Sequence, residues 1–187
     1  MEKIRSFIAI DIDDSTLINK IVALQDSLKG LGASIKFVEP QNIHLTLRFL
    51  GEITPFQVEQ VKKILDTITF KPFTIRLEKL GTFPSISRPR VLWIGVSQGG
   101  EIVCRIQREI ESQLRKLGFR KEKEEFIPHI TIGRVRGGNL ERLRKRILEL
   151  QDTLIGDFEV KFIRLKKSTL TPRGPIYTTL YEKRAIE

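Results

Sequence analysis

The chain has 187 residues, 40% of them hydrophobic and 30% charged, with a formal net charge of +10. That balance argues against a disordered chain and fits a globular protein with a substantial core. The excess of Lys and Arg favours a polyanionic partner over an acidic protein surface, although basic charge alone provides only non-specific attraction to phosphate.

In chain order, Ile4 to Ile12 reads as an apolar strand, and Asp13-Asp14-Ser15 supplies a cap for the helix after it. That helix places Leu17, Ile21, Leu24 and Leu28 at three- and four-residue spacing and ends near Gly30 or Gly32. Strands are expected at Ser34 to Val38 and Ile43 to Leu50. Thr54-Pro55 opens a second helix through Ile68, and Phe73 to Leu80 returns to strand. A similar order then recurs: strand Val91 to Val96, helix Glu101 to Leu117, strand Ile127 to Val135, helix Leu140 to Gln151 and strand Phe158 to Leu165. A last strand, Tyr177 to Lys183, completes a sheet. Gly81 to Arg90 is the expected crossing between halves, or else a surface loop bordering a cleft. Short links between successive strands indicate an α+β fold with mainly antiparallel sheets rather than a doubly wound parallel one.

The lone Cys104 excludes an intramolecular disulfide and fits a reducing cytoplasm, the expected location. Its helical, largely apolar setting predicts a structural thiol rather than a nucleophile. The N-terminal segment has no signal-peptide pattern, and no stretch has membrane-spanning length, so no membrane association is expected.

The chain contains only two histidines, and each opens the same pattern: His44-Leu45-Thr46-Leu47 and His129-Ile130-Thr131-Ile132. In a strand, residues i and i+2 share a face, so each His stands beside its Thr while the aliphatic residues turn to the core. The motifs are 85 residues apart, and the same offset pairs Arg5-Ser-Phe-Ile with Arg90-Val-Leu-Trp and Phe73-Thr-Ile-Arg-Leu with Phe158-Glu-Val-Lys-Phe. Two repeats, about 1–85 and 86–187, therefore predict a single bilobal domain. Two mainly antiparallel sheets flanked by helices would surround a central cleft, each lobe contributing one His-x-Thr motif.

Two imidazoles facing one cleft suit proton transfer on opposite sides of a reacting centre, because histidine keeps both protonation states accessible near neutral pH. The Thr46 and Thr131 hydroxyls can donate to phosphoryl oxygens. A two-histidine metal site is the rival reading, but neither motif contains an Asp, Glu or Cys to complete a ligand set, so no metal or cofactor is expected. Arg48, four residues after His44, has the even offset that would put it beside Thr46 as a substrate contact. Arg134, five residues after His129, has the odd offset that strand parity opposes unless Gly133 marks a bulge. Arg5 and Arg90 read equally well as an interlobe pair or as substrate contacts. Phe83, Trp93 and Phe126 read mainly as core, with stacking on a terminal base as the second use. The run Arg142 to Arg146 reads as a solvated helix face.

The paired motifs, the opening Arg5-Ser-Phe-Ile-Ala, the Leu80-Gly-Thr-Phe-Pro84 segment and the ending Ser168-Thr-Leu with Gly174-Pro-Ile-Tyr177 together resemble the 2H phosphoesterase superfamily. Within it the chain is similar to the RNA 2′,3′-cyclic phosphodiesterases, historically called 2′-5′ RNA ligases. The resemblance implies metal-free hydrolysis of a 2′,3′-cyclic phosphate end to a 2′-phosphate, with 2′-5′ joining as a reversible counterpart. It also implies His44 as proton donor, His129 as proton acceptor, Thr46 and Thr131 as phosphate ligands, and Arg134 as a phosphate-binding cation. The implied partner is RNA with a cyclic phosphate end, tRNA fragments among the candidates, acted on by a monomer. The alternative from a different class is a non-catalytic module that binds RNA ends in the same cleft.

Overall fold

A computed structural model describes residues 1–187. The elements run β1 (Ile4–Asp11), α1 (Ser15–Ser27), β2 (Ala33–Phe37), a 3-10 turn (Pro40–Asn42), β3 (His44–Ile53), α2 (Pro55–Thr67), β4 (Phe73–Pro84) and β5 (Pro89–Val96). Then come α3 (Gly100–Lys116), β6 (His129–Gly138), α4 (Glu141–Leu150), β7 (Leu154–Val160), β8 (Phe162–Thr171) and β9 (Gly174–Arg184). No helix is long and apolar enough to cross a membrane.

Local chemistry explains the helix starts. The Asp14 carboxylate accepts from the Leu17 N–H at 3.0 Å. Thr54 and Gln57 form a reciprocal capping box at the start of α2, with Pro55 in the first turn where its missing N–H costs nothing. Helix α3 buries Val103, Ile106, Ile110 and Leu114 at three- and four-residue spacing, which seats one stripe on the sheet and leaves its charged face outside.

The strands form one antiparallel sheet in the order β7-β4-β5-β6-β3-β1-β8-β9, with β2 also paired to β6. Its two halves meet at β3 and β6 through a single register pair, Leu45 opposite Ile130. The expected two sheets are thus two antiparallel halves of one curled sheet, separated by this narrow junction. A continuous core of 38 buried residues runs beneath both halves, including Ile8, Leu45, Leu92, Ile130 and Leu165.

Each half draws on both sequence repeats. β1 and β3 are joined by β8 and β9 from the C-terminal part of the chain, while β5, β6 and β7 are joined by β2 and β4 from the N-terminal part. The offset of 85 relates the bounds of β1 to β5 and of β3 to β6. It does not make Phe73 and Phe158 symmetric equivalents, because their strands are neighbours, with Ile75 opposite Phe158. Gly81 to Arg90 is not a crossing. It is a hairpin between β4 and β5, and its tip lies at residues 85–88. The single strand expected from Phe158 to Leu165 is broken at Lys161, where the chain leaves one half for the other.

Candidate active site

β3 and β6 carry the two histidine motifs to the junction between the halves. With Leu45 opposite Ile130, antiparallel register brings His44 opposite Thr131 and Thr46 opposite His129. Leu45, Leu47, Ile130 and Ile132 are buried on the other face. The alternation read in the sequence therefore holds along both motifs.

The imidazoles are oriented in the same way. His44 Nδ1 lies 2.6 Å from the Asn42 carbonyl oxygen, and His129 Nδ1 lies 2.6 Å from that of Ile127. A carbonyl only accepts, so both Nδ1 atoms carry the proton and both Nε2 atoms are left to do chemistry. His44 Nε2 is 2.9 Å from Thr46 Oγ1, whereas His129 Nε2 has no hydrogen-bond partner within the protein.

Their packing differs. The His44 ring lies 5.0 Å from that of Phe7 and 5.4 Å from that of Tyr177, while His129 meets the ring of Phe83 edge-on at 5.1 Å. Burial holds the His44 pKa below the ordinary 6.5; the Asn42 carbonyl and Asp11 pull it up, and Lys166 and His129 push it down. Burial also lowers the His129 pKa, against the Ile127 carbonyl and with help from Arg134.

Two matched bulges place the cations. Opposite β1, the register skips Leu47 between Thr46 and Arg48; opposite β5, it skips Ile132 between Thr131 and Gly133. Each bulge reverses the parity of the residues beyond it. Arg134 accordingly turns to the same face as His129 and Thr131 and lines the cleft. Arg48 turns away from the cleft, which corrects the expectation of a substrate contact. It is 7% exposed, with Nε 2.6 Å from Glu111, Nη1 3.6 Å from Glu122, and further bonds to the Phe49 and Arg120 carbonyls. Phe49 takes the cleft position in the first motif, 56% exposed, where Arg134 stands in the second.

The cleft has a volume of about 460 Å³ and is lined by His44, Thr46, Thr131 and Arg134 together with several groups the motifs did not single out. Ser168, Gly174 and Tyr177 from the β8–β9 hairpin form one wall, and β2 with the turn before His44 forms another. Burial pushes the Tyr177 phenol up, while Arg134 and Arg5 pull it down, so its hydroxyl sits in the field of both cations. Arg5 lines the cleft; Arg90 does not. Phe83 and Trp93 stack at 5.1 Å behind His129 rather than in the core, and Gly81 permits this because a Cβ there would lie 2.2 Å from the Trp93 ring. The Gly174-Pro175 turn is the sequence signal for the hairpin wall; Lys36 and Arg136 carry no signal beyond their share of the net charge.

A larger depression of about 1050 Å³ lies between α3 and residues 121–126 and contains Cys104 but no histidine. Burial raises the Cys104 pKa, which disfavours the thiolate and agrees with a structural thiol. No three His, Cys, Asp or Glu side chains gather as a metal ligand set.

A curled antiparallel sheet thus presents two carbonyl-oriented histidines, each beside a threonine. The model of the LigT-like phosphoesterase family matches the chain twice, over residues 10–93 and 94–177, and the chain belongs to that family. It is 44% identical to the RNA 2′,3′-cyclic phosphodiesterase of Aeropyrum pernix, covering 90% of this chain and 97% of that one. The protein of the same name from Methanocaldococcus jannaschii is 42% identical over 95% of this chain and 99% of its own. Among solved structures, TT0787 of Thermus thermophilus superposes with a TM-score of 0.81 at 25% identity, covering 96% of this chain and 97% of that one. Escherichia coli LigT in complex with 3′-AMP gives 0.79 at 23% identity over the full length of both.

Proposed function

We propose that the protein is an RNA 2′,3′-cyclic phosphodiesterase that opens the cyclic phosphate to a 2′-phosphate without a metal ion. The observation that carries this reading is the pair of Nε2 atoms presented from β3 and β6, each imidazole fixed through Nδ1 to a carbonyl two residues upstream. The near-full-length similarity to proteins of that name supports the substrate class.

In the reaction, His129 Nε2, free of any protein partner, takes a proton from water as its oxygen forms a bond to phosphorus. The bond from phosphorus to the ribose 3′ oxygen breaks, and that oxygen receives the proton of His44 Nε2. The products are a 2′-phosphate and a 3′-hydroxyl, with His44 neutral and His129 protonated until solvent resets them. Thr46, Thr131 and Arg134 stabilise the charge on the non-bridging oxygens. A 5′-hydroxyl that attacks in place of water gives a 2′-5′ linkage, and the same two proton transfers in reverse cleave it.

The test is incubation of a short RNA with a 2′,3′-cyclic end in the presence of EDTA. The expected product carries a 2′-phosphate. A 3′-phosphate product, or activity that returns only with an added divalent ion, would sink the reading. Binding of the end without turnover would favour the non-catalytic module.

A further inference from the structure

The cleft holds more positive charge than one cyclic phosphate can use. A cyclic phosphodiester carries a single negative charge, yet Arg5, Lys36, Arg134, Arg136 and Arg173 all line the cleft with one carboxylate, Glu39. None of the five cations forms an ion pair with Glu39 or any other acid, although eight other Lys or Arg side chains of the molecule do so.

The cations are also ordered. Thr131, Arg134 and then Arg136 of β6 line the cleft, and His129 stands on the same face at the start of the strand, so the row of cations leads away from the reacting centre. Arg136 lies two residues beyond Arg134, at a bulge that the β2 register skips between Val135 and Gly137, so the two cations stand at most about 6.6 Å apart along the strand, which is of the same order as the step between neighbouring phosphates in a single strand. Lys36 on β2 lies directly opposite Arg134 in the β2–β6 register. Like charges facing one another across an antiparallel pair destabilise it, and no acid on either strand relieves this pair. An anion held beside Lys36, between it and the Arg134–Arg136 row of β6, would offset that repulsion.

We propose that Lys36 and Arg136 form a second phosphate subsite, which takes the phosphodiester one nucleotide upstream of the cyclic end. It rests on the cyclic phosphodiesterase reading and narrows the substrate to an RNA strand of at least two nucleotides. A free cyclic mononucleotide fills only the catalytic part of the cleft. The subsite contributes to capture and orientation, not to proton transfer.

The experiment compares three substrates with a cyclic end: the mononucleotide, the dinucleotide, and the dinucleotide with its internal phosphodiester replaced by an uncharged methylphosphonate. Turnover and calorimetric binding of the corresponding 2′-phosphate products are read for the native protein and for Lys36→Gln/Arg136→Gln. The native protein should prefer the charged dinucleotide to the other two by about tenfold in kcat/KM and in affinity. Its affinity should fall more steeply with salt, by about 0.7 in the log–log slope for the added phosphate. In the double variant the three substrates should become equivalent. If the methylphosphonate serves the native protein as well as the phosphodiester, or if the preference survives in the double variant, the subsite is overturned. The first of these comparisons needs no variant. Absence of turnover on all three overturns the enzymatic reading instead, and the binding comparison still decides the subsite.

Discussion

Two histidines of identical local sequence acquire different chemistry from their surroundings. His44 is packed between Phe7 and Tyr177 with Nε2 bonded to Thr46, while His129 leaves Nε2 open. Replacement of either by Ala should lower cyclic phosphate hydrolysis at least about 100-fold, because each removes a separate proton transfer. Unchanged thermal unfolding would show that the loss is chemical. The pH dependence is set by the directions of the two pKa values. Activity in kcat/KM requires His129 neutral and His44 protonated in the free enzyme, and both pKa values lie below 6.5. Competence therefore rises as His129 loses its proton and falls as His44 loses its own, which places the bell maximum below pH 6.5. The kcat profile should sit at higher pH, since a bound phosphate anion favours both imidazolium forms. A basic limb of kcat/KM above pH 7 would contradict this. Arg134→Gln removes a cation that lowers the His129 pKa, so the limb that His129 sets, and with it the maximum of the profile, should move to higher pH.

At the scale of elements, the bulges at Leu47 and Ile132 decide which arginine serves the cleft. The sequence made the strands, the helices and both His-x-Thr faces legible, because hydrophobic alternation and capping residues are local properties. Parity through Arg48 and Arg134 was not legible, since a bulge is set by pairing with a distant strand, here β1 and β5. Nor was the fate of the segment after α3. β2 covers Gly133 so closely that a Cβ there would lie 3.1 Å from Ile35, but the corresponding residues 118–122 form no strand. Arg48 occupies that side instead, tying the Arg120 carbonyl and Glu111 to β3. Arg48→Ala should therefore cost about 3 kcal/mol of stability by leaving Glu111 without its partner, while kcat stays close to that of the native protein. Arg134→Ala should do the reverse, lowering kcat/KM with little change in unfolding. Denaturant titration and steady-state kinetics on both variants separate the two roles, and a catalytic defect in Arg48→Ala without a stability loss would return that arginine to the cleft.

Across the whole molecule, the two sequence repeats do not correspond to the two halves of the sheet. β8 supplies the neighbour that β1 needs, and β4 supplies the neighbour of β5, so each repeat leaves open strand edges that only the other repeat covers. The core is likewise one cluster, with Ile8 and Leu45 from the first repeat sharing it with Leu92 and Leu165 from the second. This interleaving keeps His44 and His129 in fixed relation without a linker or hinge between them. It also predicts that fragments 1–85 and 86–187, cut at the exposed tip of the β4–β5 hairpin, will not fold alone. Each should give a spectrum without cooperative thermal unfolding and no activity. Mixed in equal amounts, they should recover both, with a concentration dependence that reflects association. A fragment that unfolds cooperatively by itself would show that one repeat closes its own core, and the exchange of strands would then be a matter of packing rather than a requirement of folding.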